Sequence, residues 1–218
     1  MIPEIKKENT IPLLDKKFIR VFDLQYAEGK HYFDATRRTE NDLAALMDDA
    51  EFRDMLPDAV TCIVILKVKD SKPTLLLSYE YRYPAGRFLL SPPAGLLDSK
   101  DKETDNPLIS AALREIHEET GLTVDNNAEI SVVNPLLFSS PGMTDESNAF
   151  VKVVLRLDDL SALNQDGAEG SECFDGFELV TKEEAKKLLS DGRDKNGFFY
   201  SAATWIALMY FINEHDFL

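Results

Sequence analysis

The stretch from Pro107 to Thr120 constrains the fold of this chain more than any other. Pro107 suits a first helical turn, Asp105 or Asn106 can cap it, and Gly121 suits a left-handed stop. Between those signals, a wheel stepped at about 100° per residue separates two faces. Ile109, Leu113, Ile116 and Thr120 form an apolar stripe that must lie on a core. Arg114, Glu115, Glu118 and Glu119 form one continuous charged arc, with Ala111 and Ala112 one turn earlier leaving room for a ligand. His117 points away from the carboxylates, and His31, His117 and His215 show no ligand spacing.

An acidic arc usually marks a solvated surface. Here the energetics count against that reading. Glu115 lies three and four residues from Glu118 and Glu119, and each like-charge pair costs about 0.2–0.5 kcal/mol. All three sit in the last turns of the helix, where the macrodipole disfavours negative charge by about 0.3–1 kcal/mol each. Arg114 relieves Glu118 only in part. A hard divalent cation among the oxygens makes such a cluster favourable, and Mg²⁺ takes a few carboxylates together with substrate phosphates. Mn²⁺ accepts the same oxygen ligands.

The remaining pattern supplies the layers. Phe18 to Arg38 alternates apolar and polar residues around Glu28-Gly29-Lys30, which predicts a hairpin. Asn41 to Met55 has helical spacing and stops at Pro57. Thr61–Val68 and Thr74–Tyr79 are short apolar runs separated by a turn, and Phe88–Leu90 is a third. Ile130–Phe138, Ala149–Leu157 and Phe177–Val180 have strand character, and Asn164–Asp175 is an acidic loop. Thr181 and Glu184 form a capping box for a helix to Leu189, and Ser201–Asn213 closes the chain as a helix. Strands with interspersed helices predict an α/β or α+β sandwich.

Composition narrows the partners. With 24 Lys+Arg against 39 Asp+Glu the net charge is −15, which argues against nucleic acid and anionic membranes. Two cysteines, Cys62 and Cys173, make no disulfide framework and suit a reducing compartment. The first ten residues are too polar for a signal peptide, and the apolar run Ala202–Ile212 is well short of the ~20 residues that span a bilayer. The expectation is a cytoplasmic protein that meets no membrane.

Gly95, followed by Arg114-Glu115-Ile116-His117-Glu118-Glu119-Thr120-Gly121-Leu122, resembles the Nudix box, G-x5-E-x7-R-E-U-x-E-E-x-G-U with U apolar. The second half matches at every fixed position. The first half carries five extra residues within Asp98–Asp105: counting back from Arg114 reaches Asn106 instead of glutamate, and counting forward from Gly95 reaches Asp101. Tyr79-Glu80-Tyr81-Arg82, Pro93-Ala94-Gly95, Ser140-Pro141-Gly142-Met143-Thr144-Asp145-Glu146 and the helix Thr204–Tyr210 resemble the ADP-ribose pyrophosphatase branch of that superfamily. Ser91 stands where that branch usually has a glutamate.

The resemblance implies a Nudix α/β/α sandwich, a mixed sheet between helices, with a small N-terminal β-hairpin extension. It divides the chain into a region 1–57 for dimerisation or substrate contact and a hydrolase domain 58–218. It implies Glu115, Glu119 and the Ala94 carbonyl as metal ligands, with Glu118 and Arg114 catalytic beside them and Glu146 as the general base. Arg82, and Arg37 and Arg38 across a homodimer, are the implied substrate contacts. Tyr81, Tyr83 and Phe22 are open either to stacking on a base or to core packing. The implied reaction is Mg²⁺-dependent hydrolysis of ADP-ribose, or a related nucleotide sugar, to AMP and a sugar phosphate. Two alternatives stay open: hydrolysis of another nucleoside-diphosphate substrate such as a CoA or dinucleoside polyphosphate, and a non-catalytic sensor of a nucleotide metabolite.

Overall fold

Alternation between Phe18 and Arg38 folds as a hairpin and gains a strand on its far side. In the computed structural model, which describes residues 3–168 and 170–214, β1 (Thr10–Asp15), β2 (Arg20–Ala27) and β3 (Lys30–Thr36) form an antiparallel sheet in that order. The chain divides into two compact units, and this sheet belongs to the one made of residues 1–58 and 135–148. Phe22, Leu24 and Leu43 are its small core, so Phe22 is a packing residue and not a stacking platform. The polar segment after the hairpin forms one 3₁₀ turn, Ala44–Leu46, and one short helix, α1 (Asp49–Asp54), started by an Asp48/Glu51 capping box. Within the same unit Tyr32 donates its hydroxyl to the Gly142 carbonyl at 2.7 Å, and Phe52 stacks on Phe138.

The other unit, residues 59–134 and 149–218, is organised by β4 (Ala59–Val68). Val60, Cys62, Val64 and Leu66 point into one apolar core, while Ile63 and Ile65 point into a second. That period of two places a layer on each side of the sheet. The further strands of its sheet are β5 (Thr74–Arg82), β6 (Arg87–Ser91), β7 (Ala94–Leu96), β8 (Glu129–Phe138), β9 (Ser147–Leu157) and β10 (Phe174–Val180), of which residues 135–138 and 147–148 count with the first unit. Their order is β10-β5-β4-β9-β8, with β6 on β5 and β7 on β4. α2 (Ser99–Lys102) is a single turn. α3 (Pro107–Thr120) covers the first core through Ala111, Ala112 and Ile116. α4 (Lys182–Asp191) and α5 (Ala202–Asn213) cover the second through Ala185, Ala207, Leu208 and Phe211. The architecture is therefore the expected α/β/α sandwich around a mixed sheet.

Local chemistry explains the ends. Thr181 and Glu184 form the expected capping box on α4, and Ser201 accepts the Thr204 N–H to start α5. Asn106 is the N-cap of α3 but its side chain makes no capping bond, so Pro107 sets that start. Gly121 ends the helix at φ 70°. Among the described residues no helix is long and apolar enough to cross a membrane, both cysteines are free, and His215 lies outside the described residues.

Candidate active site

α3 lies on the sheet closely because Ala111 and Ala112 are small, and both are fully buried. The space the sequence assigned to a ligand beside them is filled by Val60, Cys62 and their neighbours. The buried face is correspondingly rotated: Leu113 is only partly covered, whereas Glu115 and Glu119 are 4% and 3% exposed. These two glutamates face the sheet rather than solvent. His117 is on the exposed side, as expected.

Opposite them runs β7. The Ala94 N–H donates to Glu119 Oε1 at 3.3 Å, while Glu119 Oε2 is buried with no hydrogen-bond partner. Gly95 is a requirement of space: a Cβ there would overlap the Glu115 carboxylate. Burial drives the Glu119 carboxyl well above the usual carboxylate range, and the charge of Glu80 raises it further. Burial likewise pushes Glu115 up to about 7, with Arg114 opposing and Glu118 and Glu172 reinforcing. Glu80 is raised by burial and by Glu172, while Arg82 opposes.

Glu80 was quoted in the sequence only within Tyr79-Glu80-Tyr81-Arg82, with no role of its own, and Glu172 was not singled out. Pairing of Phe174 with Glu80 across β10 and β5 brings the two together from distant stretches of chain. Arg82 is held in an ion pair with Glu80. The site is thus a set of carboxylates that repel one another in a poorly solvated place.

Arg114 runs through the part of this set that α3 carries. Its Nη1 donates to Glu115 Oε1 at 2.7 Å and Glu118 Oε2 at 2.9 Å, and its Nη2 to the Leu96 carbonyl and Asp101 Oδ2, both at 2.8 Å. Asp101 is the residue reached by counting forward from Gly95. It is 3% exposed and also accepts from Ser110 and the Asp98 N–H. Burial alone would raise its carboxyl, but the Arg114 and Asp98 hydrogen bonds bring it below the ordinary range. The readable signal was the Asp98/Asp101 capping box of α2, hidden in the five-residue insertion.

The remaining expected residues belong to the other unit. Arg37 Nε donates to Glu146 Oε1 at 2.6 Å. Arg38 is nine-tenths buried and donates through Nη2 to the Leu56 carbonyl, Asp58 and Ser147. Asp145 accepts the Ala44 N–H and stands 3.6 Å from Arg38 Nε.

Two observations bear on a divalent cation here: the partnerless buried oxygen of Glu119, and the glycine that leaves room for the Glu115 carboxylate. Among the described residues no group of three or more His, Cys, Asp or Glu side chains is arranged to hold a metal ion; Arg114 stands between Glu115 and Glu118 instead.

The family model described as the NUDIX domain matches residues 55–200. The chain belongs to the Nudix hydrolase family. An uncharacterized Nudix hydrolase of Schizosaccharomyces pombe is 30% identical over 65% of this chain and 63% of its own length. An ADP-sugar pyrophosphatase of Mus musculus is 31% identical over 47% of this chain and 43% of its own length. The chain thus spans roughly two-fifths to three-fifths of these relatives. A crystal structure of an ADP compounds hydrolase superposes with a TM-score of 0.56 at 20% identity, covering 96% of this chain and 91% of that one, and shows a shared fold.

Proposed function

We propose that this Nudix protein is a Mg²⁺-dependent pyrophosphohydrolase that cleaves the diphosphate of ADP-ribose or a related nucleotide sugar. The buried, partnerless oxygen of Glu119 carries the reading. A carboxylate kept from water beside Glu80 and Glu115 is costly unless a cation joins it. The name of the mouse relative supports an ADP-sugar as substrate.

Glu115, Glu119 and the Ala94 carbonyl would hold the cation. When bound, a divalent ion offsets the charge of a diphosphate and polarises water for attack at phosphorus. Arg114 fixes the rotamers of Glu115 and Glu118 from a base set by Asp101 and the Leu96 carbonyl. Glu146 is the proposed base, its carboxylate steered by Arg37. Arg37 and Arg82 contact phosphate or ribose, since a guanidinium offers a planar fork of donors. Arg38, expected among those contacts, has its Nη2 committed within its own unit, so in this proposal it holds the loop that carries Glu146.

Free thiols and the net charge of −15 support a cytoplasmic enzyme with no nucleic-acid or membrane partner. Exposed Ile11, Leu13, Phe18 and Phe33 in the first unit support a homodimer. The test is product analysis on a panel of ADP-ribose, ADP-glucose, a CoA and a dinucleoside polyphosphate, with and without Mg²⁺. Release of AMP and ribose 5-phosphate from ADP-ribose, lost on chelation, is the expected result. Turnover of only another panel member would change the substrate, and tight binding without turnover would favour a sensor.

A further inference from the structure

The outer edge of β3 is taken by a turn instead of a strand. β3 ends its sheet, paired with β2 on one side. On the other side the Ala35 N–H donates to the Met143 carbonyl at 3.1 Å. Asp34 Oδ1 accepts the Asp145 N–H at 3.1 Å, and the Tyr32 hydroxyl donates to the Gly142 carbonyl at 2.7 Å. Three positions of one strand thus hold three positions of the turn that joins β8 to β9, all within the first unit. The turn also closes on itself. The Met143 and Thr144 N–H groups share the Ser140 carbonyl, and the Ser139 N–H donates to the Glu146 carbonyl. Those bonds set its shape, whereas the bonds to β3 set the angle at which it stands. Packing offers little at the tip: Met143 is exposed, and a Cβ at Gly142 would meet nothing within 4 Å. The consequence falls on the two acids that follow. Asp145 is turned inward, with Oδ2 on the Ala44 N–H and near Arg38. The carboxylate left outermost is that of Glu146, 30% exposed and paired with Arg37.

We propose that Tyr32 is a positioning residue for the hydrolysis: by holding the tip of the 140–146 turn on β3 through its hydroxyl, it sets the stance of the Glu146 carboxylate. This rests on the base reading above. Of the three contacts with β3, this one alone can be deleted without altering backbone or charge. Tyr32 is also 48% exposed, so a phenylalanine ring fits the same place.

Steady-state hydrolysis by the full chain at saturating Mg²⁺, on ADP-ribose or whichever panel member it turns over, tests this. Tyr32→Phe should lower kcat roughly 10-fold, inside the roughly 10²-fold that a misplacement of about 1 Å can cost. KM and Mn²⁺ affinity should stay as wild type. In the Glu146→Gln background the same change should cost nothing further, because both act through one carboxylate. A merely structural tyrosine would lower kcat by the same factor in both backgrounds. A wild-type chain that turns over no panel member, or a Glu146→Gln protein with wild-type kcat, would overturn the base reading and this proposal with it. An impaired Glu146→Gln protein, with Tyr32→Phe either silent or equally costly in both backgrounds, would overturn the proposal alone.

Discussion

Single residues at this site are held by opposing forces. Asp101 accepts from Arg114, Ser110 and Asp98 in a nearly closed environment, so Asp101→Asn should destabilise the chain by about 1–3 kcal/mol. Urea unfolding would read this loss, and a change below about 0.5 kcal/mol would show that Arg114 needs no such base. Asp34 gives a cleaner pH signature because it lies in the other unit. Burial and the Asp145 charge raise its carboxyl to about 6, while the Asp145 N–H and Arg38 oppose. The folded chain therefore keeps this proton where the unfolded chain has lost it. Stability from this group is full below about pH 4 and is lost as pH rises from about 4 to about 6, by up to roughly 3 kcal/mol. Asp34→Asn should flatten that fall in a urea series across pH 4–7. An unchanged pH slope would contradict the assignment.

At the scale of elements, α3 shows what a sequence displays and what it withholds. Pro107, Gly121 and the helical period marked its ends, because those signals are local. The wheel placed all four charged residues on one arc but not the buried part of it. That depends on the Ala94 N–H and the packing of β7, which local spacing does not encode. Asp101 was hidden for another reason: the insertion displaced the count that would have paired it with Arg114. β1 escaped notice because most of it is exposed and Pro12 interrupts its pattern. Glu80 stood in a recognisable stretch and Glu172 in none, and nothing local joined the two, since that depends on strand pairing. The seat of α3 on β7 makes its own prediction. Gly95→Ala should displace the Glu115 carboxylate, costing about 1–3 kcal/mol as overpacked sites do and weakening Mn²⁺ binding. A melting temperature and Mn²⁺ affinity equal to wild type would show that the seat has slack.

For the whole molecule, the acidic composition and the α/β/α layering share one consequence: carboxylates kept at the end of α3 need compensation from outside the chain. The proposed base, Glu146, is paired to Arg37. Glu146→Gln should lower kcat by roughly 10²–10⁴ with Mg²⁺ affinity nearly intact, while Asp145→Asn should do much less. If Asp145→Asn is instead the crippling change, the base is elsewhere. Sedimentation velocity at micromolar concentration should give a dimer, and a monomer would overturn the homodimer proposal. The most direct measurement is Mg²⁺ and Mn²⁺ titration of wild type and Glu119→Gln, paired with thermal melts without metal. The account predicts cation binding that falls at least about 10-fold in the variant, with metal-free stability unchanged or raised as a buried repulsive charge is removed. Equal cation affinity in the two proteins would contradict it.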